Sequence, residues 1–284
     1  MKKIILPTDF SENSWNAIKY ALQLFKNESC MFYLLNAYTP VIYNIEYVLV
    51  NPAQFGLTDA IREVSLKSLN DIEKRIHEEF KNPNHSFEII SAFNTLVPEI
   101  KEIVESKGID FVIMGTKGAT GIKEVLFGSN AVQVIKNVKC PILAVPEKFN
   151  FENPHEILFP SDYEVDFKIN QIQPIIDIAQ AHNARVNVLN VSYGYDLSEE
   201  QEQNKRKLES FLKEVVYLLH SVRNQNIDEA ITNFQLKSKI NLLVMINNKH
   251  SFFENLFFKH TINHIGFHLN IPFLVIPSRI SLKE

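Results

Sequence analysis

The chain has 284 residues, 45% of them apolar and 22% charged, with a net charge of −4 and a pI near 6.2. At about 150 residues per domain that length suggests two domains, and the composition suits a globular protein with a sizeable core. The apolar runs fall far short of the ~18 residues that span a bilayer, and MKKIILPTDF lacks the apolar core of roughly 7–15 residues of a secretory signal, so the expected location is cytoplasmic. Residues 1–149 hold 16 Lys+Arg against 17 Asp+Glu, and the remainder 13 against 16. Neither half is a basic arm, which leaves no electrostatic case for nucleic acid or an anionic membrane. Cys30 and Cys140 form no CxxC pair and read as reduced, buried thiols.

In chain order, apolar runs at 3–7, 32–37, 86–92, 110–114 and 141–145 read as strands. Between the first two, Trp15, Ile18, Leu22 and Phe25 recur at helical spacing, with Ser11 as the expected N-cap. A long segment, 38–56, is aromatic and nearly uncharged; it either packs over the sheet edge or forms a contact surface or lid. A helix over about 58–80 follows, with a solvated charged face. A second starts near Pro98, buries Ile100, Ile103 and Val104, and stops at Gly108. Strands alternating with helices imply a parallel sheet covered on both faces, with ligands beyond the carboxyl ends of its strands.

The chain then repeats itself. IILPTD (4–9) returns as ILFPSD (157–162), and FYLLNAY (32–38) as VNVLNVS (186–192). DFVIMGTKG (110–118) returns as NLLVMINNK (241–249), and CPILAVP (140–146) as IPFLVIP (271–277). The offset falls from 153 at Pro7/Pro160 to 131 at the last two matches, so the second unit lost about 22 residues between its second and fourth strands. This is a duplication of one domain. The expected units are 1–148 and 156–284, joined by the polar EKFNFENPHE (147–156).

Four of the eight glycines, Gly115, Gly118, Gly121 and Gly128, fall within 14 residues after the fourth strand. Such a loop serves either as a simple chain reversal or as a phosphate cradle of backbone N–H groups. Ser129 is placed to cap the following helix, and Lys117 and Lys123 could add positive charge. The loop is neither a P-loop nor the GxGxxG dinucleotide fingerprint.

Gly115-x-x-Gly118, nine residues, then Gly128-Ser129, with PTDFS, LLNAYTP and CPILAVP, resembles the ATP-binding branch of the universal stress protein family. The likeness covers nearly all of residues 1–146 and more loosely 156–278, and the whole chain looks like a tandem universal stress protein. It implies two five-stranded parallel α/β domains of the adenine nucleotide alpha hydrolase-like, Rossmann-like class, paired through CPILAVP and IPFLVIP as an intramolecular pseudo-dimer. It also implies that Pro7, Thr8 and Asp9 line the adenosine side, with Asp9 on the ribose hydroxyls and the Ala37 backbone at adenine. Gly115, Thr116, Lys117, Gly118, Ala119, Thr120 and Gly121 would wrap the phosphates, and Ser129, Asn130 and Ala131 would close on them beside Gly128. ATP is the expected ligand, with AMP or another adenine nucleotide as alternatives, and Mg²⁺ would ride on the phosphates. The residues alone leave open that Asp9 merely caps a helix.

The second unit departs from that pattern. Gly115-Thr116-Lys117-Gly118 becomes Ile246-Asn247-Asn248-Lys249, and Gly128-Ser129 becomes Lys259-His260, while Pro160, Ser161 and Asp162 persist. The expectation is that this unit does not bind ATP, that Asp162 caps a helix, and that it serves a structural or regulatory role. Lys259 and His260 could hold a smaller anion, and His260, His264 and His268, four apart, are either structural or a metal face. Functionally, the first expectation is a stress-response ATP binder with no dedicated catalysis, forming a homodimer of tandem chains. A slow ATPase or adenylate-transferring enzyme, and an interaction module with a vestigial pocket, are the alternatives.

Overall fold

The structure, a computed structural model, describes residues 1–39, 53–117, 127–192, 194–223, 225–248 and 270–280. The first half runs β1 (Lys2–Pro7), α1 (Glu12–Leu24), β2 (Cys30–Tyr38), α2 (Ala53–Glu79), β3 (His85–Phe93), α3 (Leu96–Lys107), β4 (Phe111–Gly115), α4 (Ser129–Asn137) and β5 (Ile142–Val145). The second runs β6 (Glu156–Pro160), α5 (Ile169–His182), β7 (Arg185–Ser192), α6 (Glu199–Leu212), β8 (Tyr217–Arg223), α7 (Ile227–Ser238), β9 (Leu242–Asn247) and β10 (Phe273–Pro277).

The strands form one sheet in the order β3-β2-β1-β4-β5-β10-β9-β6-β7-β8. Read inward from either edge, the sequence is third, second, first, fourth, fifth strand of its half. Every pairing is parallel except the central one. There β5 and β10 run antiparallel, with Ile142 opposite Val275, Leu143 opposite Leu274 and Ala144 opposite Phe273. Leu143 and Leu274 hold the same place in CPILAVP and IPFLVIP, so the pseudo-two-fold axis passes through this pair, the register of an isologous interface. The expected joining of the last strands within one chain is what the sheet shows.

Strand side chains alternate between faces, which divides the core in two. Ile4, Leu6, Phe32 and Leu34 pack with Trp15 and Ile18 of α1, Leu69 and Ile76 of α2, Ile172 and Ile176 of α5 and Leu208 of α6. Ile5, Tyr33, Leu35 and Val112 pack with Ile100 and Val104 of α3, Val134 and Ile135 of α4 and Ile231 of α7 on the other face. Both faces of the sheet are therefore covered, as its nearly continuous apolar strands require.

Local signals account for the helix ends. Ser11 is the N-cap of α1 and accepts from the Ser14 amide. Gly108 ends α3 in the left-handed region at φ 62°, which costs glycine nothing. The helix anticipated near Pro98 begins two residues earlier, so Pro98 sits in its first turn, where a missing N–H is no loss. The shortening of the second half appears as α6, 14 residues, against the 27 of α2. The segment 38–56 lies mostly outside the described residues.

The joint is not a free polar linker. Phe149 and Phe151 meet Tyr20 with ring centroids 6.1 and 5.2 Å apart, tilted and edge-on, and Asn16 donates to the carbonyls of Pro146 and Phe149. Both cysteines are buried and neither is in a disulfide. Burial, with Glu28 nearby, pushes the Cys30 thiol up to about 12, so it stays protonated and unreactive.

Candidate functional site

The sheet order reverses direction between β1 and β4, and the ladder of β1 with β2 ends at Pro7. Such a switch point is where an open α/β sheet offers a crevice. Three pieces of chain meet there: the turn after β1, the carboxyl end of β2, and the passage from β4 to α4.

The turn after β1 is tightly held. Pro7 is buried at the strand end. Thr8, also buried, donates its amide to the Leu35 carbonyl, and its hydroxyl lies 2.9 Å from Ser14 Oγ while accepting from the Phe10 amide. Asn36 Nδ2 donates to the Thr8 carbonyl, and Asn36 Oδ1 accepts from Ser65 of α2, which in turn accepts from Ser91 of β3. Phe10 adopts φ 65°, a conformation costing a non-glycine residue about 1–2 kcal/mol. Asp9 is exposed, and its Oδ1 accepts from both the amide and the hydroxyl of Ser11. Asp9 is thus not the cap of α1; it orients the residue that is.

β2 outruns β1. Its register with β1 ends at Pro7–Leu35, while its pairing with β3 continues to Tyr38–Phe93. Backbone groups alternate sides along a strand, so the Ala37 peptide groups turn the same way as the Leu35 carbonyl, toward a place β1 has left.

From β4, Gly115 comes so close to α1 that an added Cβ would lie 2.7–2.8 Å from the Asn13 amide. No side chain fits there unless Asn13 moves, which explains glycine at this position. Asn13 Nδ2 donates to the Lys117 carbonyl and so ties α1 to the loop. Asn13 Oδ1 is buried with no partner among the described residues, a cost of about 1–3 kcal/mol. Thr116 is buried, donates its amide to Val145, and accepts from the Gly128 amide at 2.7 Å. That last bond brings the start of α4 against the end of β4.

At α4 the expected cap moves by one residue. Gly128, not Ser129, is the N-cap, and no side-chain hydrogen bond closes the helix. Ser129 is already the first helical residue because Gly128 takes the extended conformation at φ −65°, ψ 159°. The first-turn amides of Ser129, Asn130 and Ala131 have no intrahelical acceptor by construction. Ser129 and Asn130 are exposed and Ala131 is buried. Gly118, Ala119, Thr120, Gly121 and Lys123 lie outside the described residues.

The structure therefore brings Pro7, Thr8, Asp9, Ala37, Gly115, Thr116, Lys117, Gly128, Ser129, Asn130 and Ala131 to one end of the sheet. Sequence reasoning missed Asn13 and gave Asn36 no role beyond marking the repeat. The persistence of an asparagine at 36 and 190 was a usable signal for the second. Nothing in spacing alone marked the first.

In the second half Asp162 is not a helix cap. Its Oδ1 accepts from the Glu164 amide, and α5 begins only at Ile169, with Lys168 in the cap position. Ile246, buried, replaces Gly115. Lys249, Lys259, His260, His264 and His268 lie outside the described residues. Among those described, no group of three or more His, Cys, Asp or Glu is arranged to hold a metal, and no helix is long and apolar enough to cross a membrane.

These features define a doubly wound α/β protein with a switch-point crevice opposite an uncapped helix start. Residues 1–146 match the model of the universal stress protein family, and the chain belongs to that family. Two universal stress proteins of Methanocaldococcus jannaschii are similar to it. One is 32% identical over 149 residues, spanning 51% of this chain and 81% of its own length; the other is 31% identical over 162 residues, spanning 52% and 96%. Over the whole molecule, the crystal structure of a universal stress protein from Archaeoglobus fulgidus aligns with a TM-score of 0.63 at 15% identity, covering 97% of this chain and 98% of that one. At that identity the likeness speaks for the fold.

Proposed function

We propose that the chain is a tandem universal stress protein, with units 1–148 and 156–284, that binds one ATP at the switch point of its first unit and has no dedicated catalysis. The observation that carries this reading is the start of α4. A glycine cap without a side-chain bond leaves the amides of Ser129, Asn130 and Ala131 facing the crevice end of the sheet, and such a helix start favours an anion. The Thr116–Gly128 bond sets it beside β4, and Gly115 keeps that approach free of side chain.

The rest of the site suits the remainder of the nucleotide. The Ala37 peptide offers a donor and an acceptor to an adenine edge, and the exposed Asp9 carboxylate suits ribose hydroxyls. Gly118 to Gly121 complete the phosphate loop on this reading. A divalent cation such as Mg²⁺ would be held by the phosphates, since Asp9 is the one carboxylate in the proposed set and is assigned to ribose. The second unit, with Ile246 where Gly115 stands, is proposed to bind no nucleotide.

Calorimetric titration of nucleotide-free protein with ATP and Mg²⁺ tests this. One site per chain is expected, with no turnover in a phosphate-release assay. Absence of binding would overturn the ATP reading, two sites would overturn the silence of the second unit, and multiple turnovers would make the protein an ATPase.

A further inference from the structure

The helix assigned to phosphate is held at both ends by residues of the other half. Phe127, buried immediately before the Gly128 cap, meets Phe273 of β10 with ring centroids 6.1 Å apart. At the far end, Asn247 at the tip of β9 donates its side-chain amide to the Ile135 carbonyl at 3.1 Å. Ile135 belongs to the last turn of α4, whose carbonyls have no partner within the helix, so Asn247 satisfies an orphan acceptor. Asn247 is itself anchored, because its carbonyl accepts from the Ser278 amide just past β10. Between these two grips, Val134 and Ile135 pack in the core that contains Ile271, Phe273 and Val275.

The two holding residues occupy telling positions. By the repeat offset of 131, Asn247 stands where Thr116 stands in the first half, and Phe273 where Ile142 stands. The end of β9 has lost its glycine, and its next residue reaches across the seam instead. We propose that the second half acts on the nucleotide site: Asn247 and Phe273 are positioning residues that fix the axis of α4, and hence the direction of its first-turn amides. This rests on the ATP reading above for what those amides bind, but not for the contacts themselves. A helix held at its carboxyl end is a rigid lever, so a small tilt released there displaces the amides at the other end of the nine-residue helix.

The test uses the full chain with Asn247→Ala, Asn247→Asp and Phe273→Leu. Three quantities are read: the Kd for Mg-ATP, the melting temperature of the nucleotide-free protein, and hydrogen exchange at the α4 amides of Val132 to Val138, with α3 on the same face as internal control. Asn247→Ala should raise the Kd about threefold to tenfold, the effect of one lost hydrogen bond, and speed exchange in α4 but not α3. Asn247→Asp should do more, because a carboxylate at a helix carboxyl end is repelled by the dipole. Asn247 is half-buried, so its variants are expected to fold even if Phe273→Leu does not. Wild-type Kd and wild-type exchange in the Asn247 variants would overturn the proposal. So would an equal rise in α3 and α4 exchange with a lowered melting temperature, which marks general destabilisation. If the wild-type protein binds no ATP, the proposed function falls, and selective loosening of α4 still decides for or against the positioning role.

Discussion

The turns after β1 and β6 are built alike at the level of single hydrogen bonds. Thr8 and Ser161 each donate an amide to the leucine opposite, Leu35 or Leu189, at 2.8 and 2.9 Å. Their hydroxyls accept from Phe10 and Tyr163, which both sit at positive φ, 65° and 57°. Asn36 and Asn190 donate to the Thr8 and Ser161 carbonyls, and Asp9 and Asp162 each accept from the amide two residues on, at 3.1 Å. Beyond the turn the halves part. In the first, α1 begins at once and carries Asn13 under Gly115. In the second, the chain runs without regular secondary structure to Ile169 and buries Val165 and Phe167, while α6 reaches over the turn, with Gln201 on the Asp162 carbonyl and Asn204 on that of Tyr163. The Pro-Ser/Thr-Asp turn is thus a device of the fold. What sets the first half apart as the proposed ligand site is the glycine of β4 and the helix start it admits.

The comparison breaks most sharply at that glycine. Gly115→Ile gives the first half the residue of the second, and it should abolish ATP binding in calorimetry while circular dichroism keeps its α/β shape. The Cβ alone collides with Asn13, whose bond to Lys117 must be lost. The reverse change, Ile246→Gly, should confer no ATP site. It removes a buried side chain and should cost about 3–5 kcal/mol in urea unfolding.

Next in size are the two asparagines. Asn36→Ala and Asn190→Ala each leave a buried carbonyl without its donor, so each should cost about 1–3 kcal/mol of stability. The loss in Asn36→Ala should be the larger, because Asn36 Oδ1 also accepts from the buried Ser65 hydroxyl. Only Asn36→Ala should also weaken ATP binding, since Asn36 sets the Thr8 end of the proposed adenosine wall. A loss of ATP binding in Asn190→Ala would show that the second turn also serves the ligand.

Two histidines at the end of α1, one of them from the second half, add a pH dependence. His182 of α5 and His85 of β3 set Nε2 against the adjacent carbonyls of Leu24 and Phe25 at the end of α1, at 2.9 and 3.0 Å. Carbonyls only accept, so Nε2 carries the proton in each. Burial lowers both pKa values, against the opposing effects of the carbonyl bonds and, for His182, of Glu28. A folded-state value below the unfolded one means stability is full above the unfolded pKa of about 6.5 and is lost as pH falls through the lower folded value. The urea midpoint of the wild type should therefore drop between pH 7.5 and 5. In His182→Gln, which keeps a donor and cannot ionise, the drop should be smaller. Equal slopes would remove His182 from the account.

The strand and helix order was legible in the sequence because periodicity and the internal repeat carry it; the pairing of the two last strands came from the family resemblance, and its antiparallel sense from the structure alone. Cap positions were less legible. Ser129 and Asp162 are good capping residue types, but backbone conformation chose Gly128 and Lys168, and in the second half Val165 and Phe167 are buried in irregular chain where a helix was expected. Asn13, Asn247 and Phe273 were illegible for a different reason. Their partners are 104, 112 and 146 residues away, so their roles exist only once the sheet has closed.

The smallest effect separates the two meanings of the motif aspartate. Asp9 and Asp162 make the same backbone bond within matched turns, and both are solvent-accessible, so alanine at either should lose about 0.5–1 kcal/mol for that bond, a modest fall in melting temperature, with a further loss in Asp9→Ala because Asp9 Oδ1 also holds the Ser11 hydroxyl. These losses are the structural share of the residue. If Asp9 also binds ribose hydroxyls, Asp9→Ala must weaken ATP by more than its stability loss explains, and the deficit must shrink for a 2′,3′-dideoxy analogue that has no hydroxyls to lose. Asp162→Ala should leave ATP affinity at its wild-type value. An Asp9→Ala variant that binds ATP and the dideoxy analogue with unchanged affinities would reduce Asp9 to what Asp162 is, a residue that shapes a turn.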